Sequence, residues 1–162
     1  MGVDGGASLL EEEGISPEDI KVSEIMTSYV VTVRPDENIV SAANKMAEHK
    51  IGSVVVVDSA GYVVGILTEA DIVRRVVAKG LNPHTTRVEE VMTPNPVTVY
   101  EDATLGTVAE YMRSRDIGHI PILDDGNKLV GIVSRTDIIS IAPSLIEVFL
   151  IKRSSTRLPP TT

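Results

Sequence analysis

The 162-residue chain contains no cysteine, no tryptophan and no glutamine. Without cysteine it can have no disulfide, no thiol nucleophile and no thiolate metal ligand. The joint absence of cysteine and glutamine fits a hot-adapted source, and fits drift nearly as well. Aromatic residues make up 3% of the chain and Phe149 is the only phenylalanine, so a core has to be built from Val, Ile, Leu, Ala and Met. No apolar run reaches the roughly 20 residues that span a bilayer. The Gly- and Glu-containing start also lacks the basic-then-apolar layout of a secretion signal, so a cytoplasmic protein is expected. Positive charge is scarce: 15 Lys and Arg stand against 23 Asp and Glu, for a net charge of −8 and a pI near 4.8. That balance argues against a nucleic-acid backbone or an anionic membrane as the main partner.

What the chain does have is a duplication. Lys21-Val22-Ser23-Glu24-Ile25-Met26-Thr27 returns as Arg87-Val88-Glu89-Glu90-Val91-Met92-Thr93, and Gly65-Ile66-Leu67-Thr68-Glu69-Ala70-Asp71 returns as Gly131-Ile132-Val133-Ser134-Arg135-Thr136-Asp137. The offset is 66 residues throughout, and from Lys21 to Arg74 about a third of positions are identical without a gap. Hydrophobic residues at 43% suffice for one domain made of two half-sized motifs. Two copies on a short linker are expected to pack face to face with approximate two-fold symmetry and to enclose clefts, where ligands bind.

Each copy reads strand, helix, strand, strand, helix, an α+β (α/β layer) arrangement. In the first, Val30 to Val33 is a short strand and Asn38 to Glu48 carries Ile39, Ala42, Ala43, Met46 and Ala47 at helical spacing. Ser53 to Val57 and Tyr62 to Leu67 are β-branched runs joined by the turn Asp58-Ser59-Ala60-Gly61, and Thr68 to Lys79 is a helix closed by Gly80. In the second, the strands are Val97 to Val99, His119 to Leu123 and Lys128 to Val133, and the helices Thr104 to Ser114 and Ser134 to Ile141. The unbroken run Val54 to Val57 implies a strand covered on both faces. The boundaries expected are a mobile lead-in over 1–20, within which Ser16 caps a turn begun by Pro17, motif 1 over 21–80, a linker over 81–86, motif 2 over 87–142, and a helix from Pro143 to Ile151 with a polar tail over 143–162.

The twin segments ending in Asp71 and Asp137 carry the chemistry. A strand ends in Thr68 or Ser134, which opens a helix, and an aspartate follows three residues later. The spacing leaves two readings open. One is a capping box, in which the hydroxyl accepts from the first turn and the carboxylate reaches back. The other is a binding site, in which first-turn N–H groups face a phosphate and the aspartate accepts a ribose diol.

The ordered set Val-x-x-Ile/Val-Met-Thr, Val-Thr-Val, an amphipathic helix, Ile-Gly-x-x-x-Val/Ile, Asp and Gly-Ile-x-Thr/Ser-x-x-Asp, present twice between Lys21 and about Ile141, resembles the cystathionine-β-synthase (CBS) domain. The tandem resembles the paired CBS arrangement known as a Bateman module. The resemblance implies two tandem β-α-β-β-α motifs packed with pseudo-two-fold symmetry, a homodimer, and two clefts for adenosyl compounds such as AMP, ADP, ATP or S-adenosylmethionine. One cleft would be formed by Ile66, Thr68 and Asp71 with Val97, Thr98, His119, Ile120 and Pro121. The other would be formed by Ile132, Ser134, Arg135 and Asp137 with Val31, Thr32, Ser53, Val54 and Val55. In each, the aspartate would take the ribose, the hydroxyl would steady phosphate or ribose, and Ile66 or Ile132 would pack on adenine. Backbone groups of Val54 and Ile120 would read the adenine edge.

Arg135 follows Ser134 where Glu69 follows Thr68. If both point inward, the Asp137 cleft favours phosphorylated ligands and the Asp71 cleft a less anionic one, with His119 offsetting part of the difference. If both lie on a solvated helix face, the two clefts are alike. The second copy has Pro121 where the first has Val55, which departs from the family pattern and bears on the exact ligand. Ser134, His119 and Asp137 lack the strand-turn-helix elbow of a hydrolytic triad, and His49, His84 and His119 lack ligand spacing, so neither catalysis nor a metal site is expected. A regulatory module is expected, with no cofactor, a regulatory adenine nucleotide, and a target on a separate chain. The rival is a ligand-free interaction scaffold. The basic tail Lys152 to Arg157 reads as a frayed end rather than a nucleic-acid arm.

Overall fold

The valine-rich runs become strands. The computed structural model describes residues 14–146 and residue 149. The first copy runs β1 (Thr32–Val33), α1 (Ile39–His49), β2 (Ser53–Val57), β3 (Val63–Thr68) and α2 (Glu69–Ile72). The second begins with α3 (Val88–Val91) and β4 (Thr93–Pro94), then repeats the order as β5 (Val99–Tyr100), α4 (Leu105–Arg115), β6 (His119–Leu123), β7 (Leu129–Ser134) and α5 (Arg135–Ile141). The sheet order is β1-β2-β3-β4 in one case and β5-β6-β7 in the other. β2 pairs parallel with β1 at Thr32↔Val55 and antiparallel with β3 at Val55↔Ile66. Val54, Val55 and Val56 are wholly buried, as an unbroken apolar run on a doubly covered strand requires.

Local chemistry explains the ends of these elements. Asn38 caps α1 by accepting the Ser41 N–H, and Thr104 caps α4 by accepting that of Thr107. Both helices close on a left-handed residue, Lys50 and Asp116, each at φ 54°. Asp58 Oδ1 accepts from the N–H groups of Ala60 and Tyr62, and Asp124 Oδ1 from those of Gly126 and Lys128, which shapes both hairpins.

Three expectations change. The strand expected over Val30 to Val33 is only two residues long. The single helix expected from Thr68 to Lys79 is α2 followed by a π-turn, Val73–Val77, in which the Ala78 N–H reaches the Val73 carbonyl. The widened turn buries Val76 completely and leaves Val73 and Val77 exposed. The lead-in ends earlier than residue 20: Ser16 and Asp19 form a capping box, and the Ile20 carbonyl accepts from the Leu105 N–H at 3.0 Å. Residues 1–13 and the polar tail lie outside the described residues, as does most of the helix expected beyond Pro143, of which a 3-10 turn, Pro143–Leu145, is described.

The chain divides into two compact units that do not follow the repeats. One contains the described residues of Met1–Met26, Val99–Ile120 and Val133–Thr162; the other contains Thr27–Thr98 and Pro121–Ile132. Each unit therefore joins the leading segment of one copy to the body of the other. Val88 and Val91 of the second copy lie in a core with Val33, Ile39, Ala42, Met46, Val54, Val56, Leu67 and Val76 of the first.

Backbone bonds repeat this exchange at the same 66-residue offset. Val88 N–H donates to the Glu37 carbonyl at 2.8 Å and Val22 N–H to the Ala103 carbonyl at 2.7 Å. Ile39 N–H donates to Thr86 and Leu105 N–H to Ile20, both at 3.0 Å. Thr93 pairs with Ile66, and Thr27 pairs with Ile132. Glu24 and Glu90 each reach back to the N–H that opens their own segment, Lys21 and Arg87.

Gly65 is required by this exchange, because a Cβ there would collide with Met92 Sδ. Gly65→Ala should destabilise the fold by about 1–3 kcal/mol. Combining it with Met92→Ala should cost less than the sum of the two single changes by at least about 0.5 kcal/mol in urea unfolding. Strict additivity would show that Met92 does not cover Gly65.

Candidate ligand-binding sites

Both Thr/Ser-x-x-Asp segments are capping boxes. Thr68 Oγ1 accepts the Asp71 N–H at 3.2 Å while Asp71 Oδ2 accepts the Thr68 N–H at 3.0 Å. Ser134 and Asp137 repeat this at 3.1 and 2.9 Å. The capping reading is thus realised in both copies, with aspartate in place of the usual glutamate. A carboxylate offers about four lone-pair sites, so holding one backbone N–H orients the group without exhausting it. Asp71 Oδ1 lies 3.8 Å from Arg75 Nε. Asp137 makes no ion pair among the described residues.

One unit holds Ile66, Thr68, Asp71, Val97, Thr98 and Pro121 of the first expected cleft, and His119 and Ile120 belong to the other. Of the second cleft, Val31, Thr32, Ser53, Val54, Val55 and Ile132 lie in the former unit, and Ser134, Arg135 and Asp137 in the latter. Residues assigned to the two clefts are cross-strand neighbours on one sheet: Ser53 faces Thr68, and Val55 sits between Thr32 and Ile66. Val54, Val55 and Ile120 have 0% exposure, so none of their side chains is open to a ligand. Val31, Thr32, Thr68, Asp71, Val97, Thr98, Ile132, Ser134 and Asp137 are all part-exposed.

The charged pair after the caps does not split as a simple inward pair. Glu69 is exposed and lines a hollow with Ala43, Met46, Ala47 and Ile72. The Arg135 guanidinium lies 3.4 Å from Asp116 Oδ1 and 5.8 Å from the Phe149 ring centroid. Its Nε is buried without a hydrogen-bond partner among the described residues.

Two features escaped sequence reasoning. Lys45 Nζ donates to the Thr32 carbonyl at 3.0 Å and pairs with Glu37 at 3.2 Å, while Glu37 also accepts the Arg34 N–H and the Ser41 hydroxyl. Spacing of four residues from Glu37 to Ser41 to Lys45 was the available signal; the second copy has Ala103, Thr107 and Tyr111 there. The other is Arg75, whose Nη1 donates to the carbonyls of Val91 and Met92. Nothing in the sequence places residue 75 near residue 91.

The CBS domain family model matches residues 22–78 and 88–144. The chain is 39% identical over 127 residues, 78% of its length, to an uncharacterized protein of Methanopyrus kandleri, of which it spans 65%. It spans only 21–23% of several longer curated relatives. An uncharacterized conserved protein of Pyrococcus horikoshii, 32% identical, superposes with a TM-score of 0.70 over 90% of this chain and 98% of that one. A CBS domain pair solved in complex with 5′-methylthioadenosine and S-adenosyl-L-methionine, also 32% identical, gives 0.69 over 75% of this chain and 94% of its own. The chain belongs to the CBS domain family and carries two CBS domains in tandem.

Burial alone pushes the Glu37 carboxyl up, but its bonds from the Arg34 N–H, Ser41 and Lys45, with the Lys45 charge, outweigh that and hold it below the usual range. A depressed folded-state pKa stabilises above the unfolded value and is lost as pH falls through the folded one. Glu37→Gln should therefore cost about 1 kcal/mol near neutral pH, discounted for the exposure of Lys45. The gap from the parent protein should close as pH falls below the ordinary carboxylate range in denaturant titrations. A gap independent of pH would show that Glu37 acts through shape alone.

Proposed function

We propose that this protein is a non-enzymatic regulatory module of the cytoplasm that binds adenosyl compounds and signals their occupancy to a partner on another chain. The observation that carries this is the duplicated aspartate, oriented by its own cap and still able to accept hydrogen bonds, in a pair of CBS domains. The related CBS pair bound to 5′-methylthioadenosine and S-adenosylmethionine supports the same ligand class. In this reading a ribose diol donates to Asp71 or Asp137, and Ile66 or Ile132 packs on the base. Val97 and Thr98 line the Asp71 site. Arg135 serves a phosphate by exchanging its contact with Asp116, so AMP and ATP favour Asp137. Glu69 leaves the Asp71 site to a less anionic adenosyl ligand.

A second reading has one observation in its favour: both caps satisfy their hydroxyls and one carboxylate oxygen without any ligand. In that case the module is a scaffold that only assembles partners.

Thermal unfolding with adenosine, AMP, ATP, 5′-methylthioadenosine and S-adenosylmethionine separates the two. Ligand at about a hundred times its Kd contributes roughly 2.7 kcal/mol, so at least one compound should raise Tm by about 5 °C or more. A flat panel assigns the scaffold. With each variant compared with its own ligand-free state, Asp137→Ala should abolish the AMP shift and Asp71→Ala should keep most of it; the reverse pattern overturns the ranking.

The module works as a homodimer. The hollow of about 800 Å³ bounded by α1 and α2 is lined by Ala43, Met46, Ala47, Ile72 and Val73 together with Lys50 and Glu69, and Val73 and Val77 are 59% and 69% exposed. Apolar side chains gathered on neighbouring helices favour a covering partner. Val73→Glu with Val77→Glu should convert a dimer to a monomer in sedimentation velocity with the Tm nearly unchanged. A parent protein that sediments as a monomer removes this assembly.

A further inference from the structure

Arg75 closes a loop of contacts in the first copy that the second copy cannot make. It lies in the π-turn after α2, and its Nη1 donates to the carbonyl oxygens of Val91 at 3.0 Å and Met92 at 3.2 Å. Its Nε lies 3.8 Å from Asp71 Oδ1. Asp71 Oδ2 holds the Thr68 N–H, and Thr68 ends β3, whose Ile66 pairs with Thr93, the residue after Met92. The path from Asp71 through Arg75, Met92, Thr93 and Ile66 returns to Thr68 through hydrogen bonds, one ion pair and the backbone. At the 66-residue offset Arg75 corresponds to Ile141, which has no donor.

The two ends of Arg75 are held unequally. The carbonyl contacts are hydrogen bonds of ordinary length to the end of α3, where a cation also meets the exposed carbonyl dipoles. The carboxylate contact is longer than a hydrogen bond and acts through charge alone. Asp71 is the more shielded partner, with a side chain 14% exposed against 48% for Arg75, so their attraction is only partly screened by water.

Resting on the adenosyl reading above, we propose that Arg75 is a positioning residue that couples occupancy of Asp71 to the segment Val88–Thr93. A diol that donates to Asp71 disperses the carboxylate charge and takes up Oδ1. The guanidinium is then drawn less toward Asp71 and settles more fully on the Val91 and Met92 carbonyls. The segment is the one that each copy contributes to the other's core, so tightening it changes how the copies hold together. Among the described residues Asp137 has no such route, and only Asp71 is joined to the exchange.

The test is NMR amide exchange on the full chain carrying Asp137→Ala, with and without saturating adenosine, a neutral nucleoside whose binding is followed by calorimetry. Adenosine should slow exchange of the Met92 and Asn95 amides, which bond to Val88 and Val64, by about fivefold, the low end of ordinary coupling. With Arg75→Met added, adenosine should still bind within about tenfold of the parent affinity, and the slowing should vanish. Arg75→Lys, which keeps the charge but lacks the fork, should restore less than half of it, and this variant carries the test if Arg75→Met does not fold. A purely structural role would shift exchange equally with and without ligand and leave the ligand-induced difference intact; that outcome overturns the coupling. Failure of the adenosyl reading looks different: calorimetry then shows no saturable adenosine binding in any of the proteins, and the coupling falls with it.

Discussion

The second copy buries Val88 and Val91 in a core made mainly by the first, the buried Val22 of the first copy bonds to the second, and the remaining architecture depends on that exchange. Val22 and Val88 are both fully buried, and the N–H of each is bonded to a carbonyl of the opposite copy. Burying such a side chain contributes about 1.5–3 kcal/mol. Withdrawing it would also strand backbone donors that the exchange now satisfies. A half-chain would lack both the valine and the edge pairing of Thr27 or Thr93, so neither copy is structurally complete alone. The glutamates that cap these segments and the glycine that admits Met92 follow from the same need to seat a short segment on a foreign body.

The exchange also explains how one frame carries two differently charged capping segments. Backbone bonds and apolar contacts recur at the 66-residue offset, while the charged positions around them have diverged. Arg75 corresponds to Ile141, Glu69 to Arg135, Lys45 to Tyr111 and Glu37 to Ala103. The frame tolerates these changes because most of these side chains lie at its partly exposed margin, where a substitution alters charge without opening a cavity. The capping boxes belong to the retained part. Their hydroxyl and carboxylate set the helix start first, and any ligand chemistry has to use what the cap leaves over.

Regular elements were legible where periodicity was strong. The helices over Ile39–His49 and Leu105–Arg115 and the strands over Ser53–Val57 and His119–Leu123 fell within a residue of expectation, because apolar spacing and caps agreed at each. The short strands at Thr32–Val33 and Val99–Tyr100 were less legible, since two residues carry no period and are strands only through their partners. The π-turn at Val73–Val77 was not legible at all. It answers to the burial of Val76, a tertiary demand that helix propensity does not record. Of the site, the aspartates and their hydroxyl partners were visible by spacing. Lys45 on the Thr32 carbonyl and Arg75 on the Val91 and Met92 carbonyls were not, because main-chain acceptors have no sequence signature.

The sequence by itself determined that a unit is duplicated, that each copy alternates strands with helices, and that a hydroxyl and an aspartate stand three residues apart late in each copy. These are matters of local period and exact offset, which the linear chain contains in full. Only the tertiary structure decided which segment completes which copy, that Val54, Val55 and Ile120 offer no side chain to a ligand, and that Asp71 is tied through Arg75 to a neighbouring segment. Those outcomes depend on contacts between residues far apart in the chain, which are set when apolar faces meet and backbone donors find acceptors across the duplication.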